Sequence, residues 1–144
     1  MKKTIICMAL SGLVVMSQVS ALAMSPSVYY NGEKMTFEKD PYIANERTMV
    51  PFRALFEATG AGVFWDDDTK SVLSFKENDD KTTTVIVFQP DLDYAFVNDE
   101  KMEIDAPAQN VDGVVFVPLR FVIETFGYEV LWDQDTYTVN IITK

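Results

Sequence analysis

The chain contains one segment twice, at a constant offset. Fifteen of the 42 positions from Asn31 to Val72 hold the same residue as the equivalent position from Asn98 to Val139, and the alignment needs no gap. A fixed period of this kind is the signature of a supersecondary unit that occurs more than once. We therefore expect two repeats, at about residues 28–75 and 95–142. Each is too small to bury its own apolar faces, so they should share one core.

Each repeat predicts the same order of elements: a hairpin, a short strand, a helix and a second hairpin. The dipeptides Asn31-Gly32 and Asn98-Asp99 are typical of tight hairpin turns. Helices are predicted over residues 51–59 and 118–126, each beginning with a proline and followed by a glycine suited to a left-handed cap. The predicted fold class is α+β, with an antiparallel β-sheet packed against two short helices. A strand at residues 82–88 is expected to link the repeats.

The residues that are identical in both repeats are those that set turns, helix ends and strands. Because they recur with the fold, we expect a structural role for them rather than substrate recognition. In each repeat an arginine precedes a glutamate by four residues. This spacing predicts either a helix-surface ion pair or arginine donors that tie the helix to carbonyls at strand ends. The predicted structural motif comprises Pro51, Arg53, Glu57, Gly60, Trp65 and Asp66, and Pro118, Arg120, Glu124, Gly127, Trp132 and Asp133.

Residues 1–23 have the pattern of a secretory signal peptide. Lys2 and Lys3 precede an apolar run, and Ala21-Leu22-Ala23 fits the groove of a signal peptidase. Polar residues interrupt the run well short of the roughly 20 apolar residues that a spanning helix needs. We expect cleavage before Met24, leaving a domain of residues 24–144. Since Cys7 is the only cysteine, that domain should be held together by packing without disulfides.

The predicted mature chain is strongly acidic. Without Lys2 and Lys3 it has ten basic residues against 22 acidic ones, so its net charge is −12. Such a surface repels phosphate backbones, which excludes nucleic acid as a partner. Eighteen aromatic residues are interleaved with the charges and indicate a folded protein. We expect a secreted, extracellular protein that associates with the cell wall or remains in the medium.

Two segments carry a resemblance to a known family. Residues 50–69 read VPFRALFEATGAGVFWDDDT, and residues 117–136 read VPLRFVIETFGYEVLWDQDT. From about Val28 onward, this doubled pattern resembles the copper amine oxidase N-terminal-like, or stalk, domain of secreted bacterial proteins. The resemblance implies an α+β fold. It also implies an accessory domain, which in the enzymes that name the family lies away from the catalytic site.

Amine oxidase activity itself is not expected. Enzymes of that class need histidines to hold copper and a tyrosine, placed after an asparagine, that becomes the quinone cofactor. This chain has no histidine, and none of its tyrosines follows an asparagine. The usual general base, zinc ligands and thiol nucleophile are also missing from the predicted mature chain. We therefore predict that the protein is not an enzyme and has no cofactor and no metal centre.

The acidic clusters suggest two alternatives. Paired carboxylates can cleave glycosidic bonds, but the most suggestive acids here recur at turn positions in both repeats. Asp66-Asp67-Asp68 resembles the start of a calcium-binding loop, yet Ser71 stands where that loop requires glycine. Turn formation is the favoured interpretation, and weak calcium binding by the acidic surface stays open.

Aromatic residues are the remaining candidates for binding. Trp65 and Trp132 could stack on a carbohydrate, but each shares a strand face with a valine and precedes a turn, which favours core packing. Other tyrosines lie near turns or loops. The candidate surface-binding residues are Tyr29, Tyr30, Tyr42 and Tyr94.

The favoured function is a non-catalytic secreted or cell-surface binding and scaffolding module. Its partner would be a cell-wall polymer, a surface protein or a second copy of the chain. The alternative is a secreted inhibitor or small-ligand-binding protein that acts on a soluble partner. Residues 137–142 are expected to form a strand paired inside the sheet; at an open edge this strand would be the site of self-association by strand addition.

Overall fold

The computed structural model describes residues 24–144, and the predicted signal peptide lies outside this range. The described part contains thirteen strands and two helices. In chain order they are β1 (Ser27–Tyr30), β2 (Glu33–Lys34), β3 (Tyr42–Ala44), β4 (Arg47–Pro51), α1 (Phe52–Ala58), β5 (Gly62–Asp66), β6 (Ser71–Glu77), β7 (Thr83–Phe88), β8 (Tyr94–Val97), β9 (Glu100–Glu103), β10 (Gln109–Val111), β11 (Val114–Pro118), α2 (Leu119–Thr125), β12 (Glu129–Asp133) and β13 (Thr138–Ile142).

The strands form three sheets rather than the single sheet that the sequence predicted. Their orders are β12-β13-β1-β2, β10-β11-β4-β3 and β5-β6-β7-β8-β9, which we call the first, central and five-stranded sheets. All pairings are antiparallel except that of β1 with β13. The α+β class with two short helices is therefore confirmed, while the division of the strands depends on long-range pairing that no local pattern reveals.

Elements of the two halves correspond at the offset of the sequence repeat. Strands β4 and β11, the two helices, and strands β5 and β12 begin and end at equivalent positions. In the central sheet β4 and β11 are antiparallel neighbours, and Val50 is paired with Val117. The five-stranded sheet contains the extra strand β7, which lies between β6 and β8, whereas β13 pairs directly with β1 in the first sheet.

Both helices begin one residue later and end one residue earlier than predicted. Pro51 and Pro118 are the last residues of β4 and β11, with extended ψ angles of 131° and 114°. The ring of proline fixes φ near −65°, a value that suits a strand end as well as a helix start. Beyond the helices, Gly60 and Gly127 adopt the predicted positive φ angles of 78° and 81°.

One apolar core unites the two halves of the described chain. The helices contribute the predicted stripes of buried residues, and the inward faces of the first and five-stranded sheets contribute valine, isoleucine and phenylalanine side chains. Trp65 and Trp132 are half-buried and pack against this core. The stripe residues are Phe52, Leu55 and Phe56 in α1, and Leu119, Val122 and Ile123 in α2.

The last strand is an interior strand. As expected, β13 pairs with its hairpin partner β12, and its other side pairs with β1. It therefore offers no open edge for strand addition, so this route to self-association is excluded. Within residues 24–144, neither helix is long and apolar enough to cross a bilayer.

Candidate functional site

A cavity of about 500 Å³ lies between the β3–β4 hairpin, the start of α2 and the β12–β13 hairpin. Its floor is apolar and consists of Leu119, Val130 and Val139, all of which are buried. Ile43 stands at its margin with an exposed side chain. Small-molecule sites in proteins typically have volumes of about 300 to 1,000 Å³ and an apolar lining with a few polar groups. This cavity has those dimensions.

Aromatic side chains form one wall of the cavity. The rings of Trp132 and Tyr137 meet edge to face, with centroids 5.0 Å apart and an interplanar angle of 72°. The indole Nε1 donates a hydrogen bond of 2.9 Å to Oε1 of Gln134, which also lines the cavity. Because the indole and amide orient each other, this wall presents a fixed apolar surface beside a polar edge.

Two arginines, Arg47 and Arg120, also line the cavity. Nη2 of Arg47 lies 2.6 Å from Oδ2 of Asp105, and Nη1 of Arg120 lies 3.0 Å from Oε1 of Glu124. Both arginines also line a second, smaller cavity of about 160 Å³, so the two cavities are neighbours, and we call them together the groove. A guanidinium has five N–H donors, so each arginine keeps donors for a ligand after pairing with its carboxylate.

The equivalent positions of the first half carry charged side chains instead of an amide and an aromatic ring. Where the cavity has Tyr137 and Gln134, the first half has Lys70 and Asp67, whose Nζ and Oδ1 atoms form an ion pair of 2.7 Å. The hydrogen bond from Lys70 lowers the pKa of Asp67 below its usual range, with a smaller contribution from the indole of Trp65. Trp65 therefore stands beside an ion pair, whereas Trp132 stands beside a tyrosine ring and an amide.

The structural-motif residues are positioned as helix-surface pairs and turn formers. Arg53 lies 3.8 Å from Glu57, and both side chains are exposed, as are those of the equivalent pair in α2. Among the described hydrogen bonds, neither arginine donates to a carbonyl at a strand end. Oδ1 of Asp66 accepts backbone N–H bonds of 2.9 and 3.3 Å, and Asp133 repeats these distances. The predicted turn chemistry is thus present in both halves.

The four candidate tyrosines are half-buried and lie on three different strands. The hydroxyl of Tyr42 donates to Oε1 of Gln109 at 2.6 Å, and its ring packs on Phe116 in the central sheet. Burial raises the pKa of Tyr42, and burial followed by the nearby Tyr128 raises that of Tyr30. Their positions are β1 for Tyr29 and Tyr30, β3 for Tyr42 and β8 for Tyr94, and none of them lines the cavity.

Comparison with models of known protein families gives one match that covers most of the chain. A model of the family described as copper amine oxidase N-terminal domain matches residues 29–141. The chain belongs to the copper amine oxidase N-terminal domain family. A search of curated proteins finds no match.

The described residues of this family member contain no cluster of three or more histidine, cysteine, aspartate or glutamate side chains placed to hold a metal ion. Of the acids that line the two cavities, Asp105 pairs with Arg47 and Glu124 with Arg120, whereas Glu46 and Glu103 form no ion pair among the described residues. Guanidinium donors and aromatic rings thus line the same cavity, a combination that suits the binding of a polar ligand.

The sequence interpretation did not select Arg47, Gln134 and Tyr137 as site residues, although all three line the cavity. None of them is identical to its equivalent in the other repeat, where Val114, Asp67 and Lys70 occur. Of the residues that are identical in both repeats, Arg120 and Trp132 line the cavity, but its other polar and aromatic residues occupy positions where the repeats differ. The sequence signal that could have indicated the cavity is the set of positions near the hairpin turns at which the two repeats carry different residue types.

Proposed function

We propose that the protein is a non-catalytic secreted binding module that attaches to a cell-wall polymer through the groove between the β3–β4 hairpin, α2 and the β12–β13 hairpin. The observation that carries the proposal is the pairing of an aromatic wall, Trp132 and Tyr137, with two arginines in a cavity of about 500 Å³. Membership of a family named for an accessory domain of an oxidase supports a role without turnover. The signal-like pattern of residues 1–23 supports export.

The groove chemistry favours a sugar-rich polymer that carries carboxylate or phosphate groups. An indole ring supplies an apolar face for the C–H surface of a sugar, and its N–H edge is fixed by Gln134. The unused donors of Arg47 and Arg120 can bind a planar carboxylate or a phosphate. The acidic surface outside the groove disfavours a long polyanion, so we expect recognition of a short segment with separated charges.

We also propose that the two halves are copies of one unit and form a rigid stalk-like frame. Support comes from the elements that recur at the offset of the sequence repeat and from the shared apolar core. In this arrangement the second half supplies the aromatic wall of the groove, and the β3–β4 hairpin of the first half supplies Arg47. The remainder of the first half, with Lys70 and Asp67 at the equivalent positions, stabilises the frame.

The test exchanges one residue between equivalent positions. Tyr137 and Lys70 correspond, and both have a φ angle of 54°, so each backbone already accommodates the other residue type. Tyr137→Lys should lower the binding of the 24–144 domain to purified bacterial cell wall about tenfold, and Lys70→Tyr should leave binding unchanged. Binding is measured by co-sedimentation over a range of wall concentrations. Equal effects of both substitutions, or none, would contradict the assignment of the groove.

A small soluble ligand is the second candidate, because the volume of the cavity suits a single small molecule. The same two variants separate the candidates. If wild-type protein fails to sediment with cell wall but binds small oligosaccharides or aromatic acids with a heat signal that Tyr137→Lys abolishes, the groove serves a soluble ligand instead.

A further inference from the structure

One acidic residue of the groove occupies a backbone position that suits glycine better. Glu46, at the turn of the β3–β4 hairpin, has a φ angle of 61° and lines the larger cavity. The equivalent residue of the other half is Gly113, with a φ angle of 84°. Glutamate seldom adopts a positive φ, because its Cβ atom strains that conformation. The first half thus accepts strain where the second half has glycine, and it gains a carboxylate-bearing residue at the cavity.

The turn that carries Glu46 is fixed through the residues on either side of it. Nδ2 of Asn45 donates a hydrogen bond of 3.3 Å to the backbone oxygen of Asp105. Nε and Nη2 of Arg47 donate to Oδ2 of the same aspartate at 3.1 and 2.6 Å. Arg47 therefore pairs with Asp105 and not with its neighbour Glu46, whose side chain is exposed. The turn is held beside the cavity, and its carboxylate is free to receive a ligand.

The charges along the groove favour a ligand that carries both signs. Two arginines line it together with four acidic residues, so its formal charge is negative. A ligand with negative groups alone would meet this surplus of carboxylates, and a ligand with positive groups alone would not use the guanidinium donors. A zwitterion satisfies both. The arginines are Arg47 and Arg120, and the acids are Glu46, Glu103, Asp105 and Glu124.

We propose that the groove binds a zwitterionic group, in which Glu46 receives an ammonium and the unused donors of Arg47 and Arg120 receive a carboxylate or phosphate. The proposal rests on the wall-binding function of the groove and names the chemistry of the segment that it takes. Carboxylates bind ammonium groups through charge-assisted hydrogen bonds, and the faces of tryptophan and tyrosine rings attract them. The larger cavity contains both, since Trp132 and Tyr137 line it with Glu46.

Two components of bacterial cell walls carry this chemistry. Wall peptides have free amines and carboxylates, and the phosphate polymers of a wall can carry amino acids as esters. In both, an ammonium and an anion are separated by a short chain of bonds, which a cavity of about 500 Å³ can hold. The shared recognition element is the ammonium beside the anion, and the source is decided by experiment.

Glu46→Gly removes the carboxylate, and Asp99→Gly is its matched control. Asp99 has a φ angle of 66°, corresponds to Gly32 of the first half, and lies outside the groove. Each substitution removes one negative charge and one positive φ that a side chain strains, so neither should lower the midpoint of thermal unfolding. Only Glu46→Gly should weaken co-sedimentation with purified cell wall, by about tenfold, as expected for one charge-assisted hydrogen bond.

Chemical treatment of the wall tests what Glu46 contacts. Acetic anhydride converts free amines into neutral amides, so the wild type should bind the acetylated wall as weakly as Glu46→Gly does. Undiminished binding of the wild type to acetylated wall, or the same loss from Glu46→Gly on native and acetylated wall, would overturn the proposal. Mild alkali removes ester-linked amino acids only. Binding lost after alkali assigns the esters, and binding that survives alkali but not acetylation assigns the peptide amines.

A measurement without cell wall separates this proposal from the wall-binding function. The probes are alanyl-alanine and its N-acetylated form, titrated into the 24–144 domain and followed by NMR chemical shifts. The free dipeptide should bind roughly ten times more tightly than the acetylated one, and Glu46→Gly should abolish that preference. Equal binding of the two forms, or binding of neither, would overturn the zwitterion proposal. If the preference is found but the wild type ignores native wall, the ligand chemistry stands and the wall-binding function fails.

Discussion

Val50 and Val117, which occupy equivalent positions of the two halves, lie directly opposite each other in the antiparallel pair of β4 and β11. On either side the equivalent residues exchange partners, with Phe116 opposite Pro51 and Pro118 opposite Met49. A local twofold axis through the Val50–Val117 pair relates β4 to β11 and accounts for this exchange of partners. The two halves therefore contact each other in the core through equivalent residues, Val50 and Val117.

Truncation at this pair should destabilise the domain symmetrically. Both valines are fully buried, so Val50→Ala and Val117→Ala should each lower the free energy of unfolding by about 2 kcal/mol. Because directly opposed side chains share one space, the double variant should show a coupling of at least about 0.5 kcal/mol. Urea denaturation of the four proteins measures it, and strictly additive losses would argue against contact between the pair.

Removal of a buried hydroxyl should stabilise the protein. Oγ of Ser74 is fully buried and has no hydrogen-bond partner among the described residues. The equivalent position in the other half is Ile141, also buried. Ser74→Ala should therefore raise the free energy of unfolding by about 1 kcal/mol. Thr84→Val is the control, since Oγ1 of Thr84 accepts a hydrogen bond from Asn78, and that change should lower stability.

Replacement of either glycine after a helix should destabilise the protein through backbone strain alone. A Cβ atom at Gly60 or Gly127 would meet nothing within 4 Å, but both residues have a positive φ. Alanine at either position should cost about 1 kcal/mol from backbone strain. Gly62→Ala provides the contrast, because its Cβ overlaps the ring of Phe75. Thermal unfolding compares the three, and asparagine should be tolerated better than alanine only at the first two sites.

Stability should decline in alkali as Tyr42 ionises. Burial raises the pKa of Tyr42 above 10.0, so the folded protein holds the phenolic proton more tightly than the unfolded chain. This contribution is complete below pH 10 and is lost as the pH rises through the folded pKa. The Tyr42→Phe variant should lose less stability between pH 9 and pH 11 than the wild type does. Urea midpoints at each pH, with tyrosinate absorbance as the monitor of ionisation, test this.

Export should yield a chain that begins at Met24. The basis is the Ala21-Leu22-Ala23 site, whose small residues fit the peptidase groove. The intact mass of protein collected from the medium measures the cleavage position directly. A mass that still includes Lys2 and Lys3 would show that the segment is retained.

Local chemistry made part of the fold predictable. The turn at Asp66 depends on one carboxylate and two nearby N–H groups, and the hairpin at Asn31-Gly32 depends on positive φ angles, so a few adjacent residues determine each. The three sheets were not predictable in this way, because the pairing of β13 with β1 joins residues from opposite ends of the chain. The cavity depends on that same assembly: Ile43, Leu119 and Tyr137 are distant in sequence and meet only after the sheets form.

The parallel pairing of β1 with β13 also means that the first sheet cannot be completed until β13 has been synthesised. Asn31 exchanges hydrogen bonds of 2.8 and 3.0 Å with Thr143, a residue 112 positions later. A chain synthesised from its N-terminus holds β1 without this second neighbour until residues 138–142 have emerged. Such long-range closure is slow compared with helix or hairpin formation. One edge of β1 can pair with β2 at once, but its other edge must stay open until β13 has been made, and only then can the first sheet close.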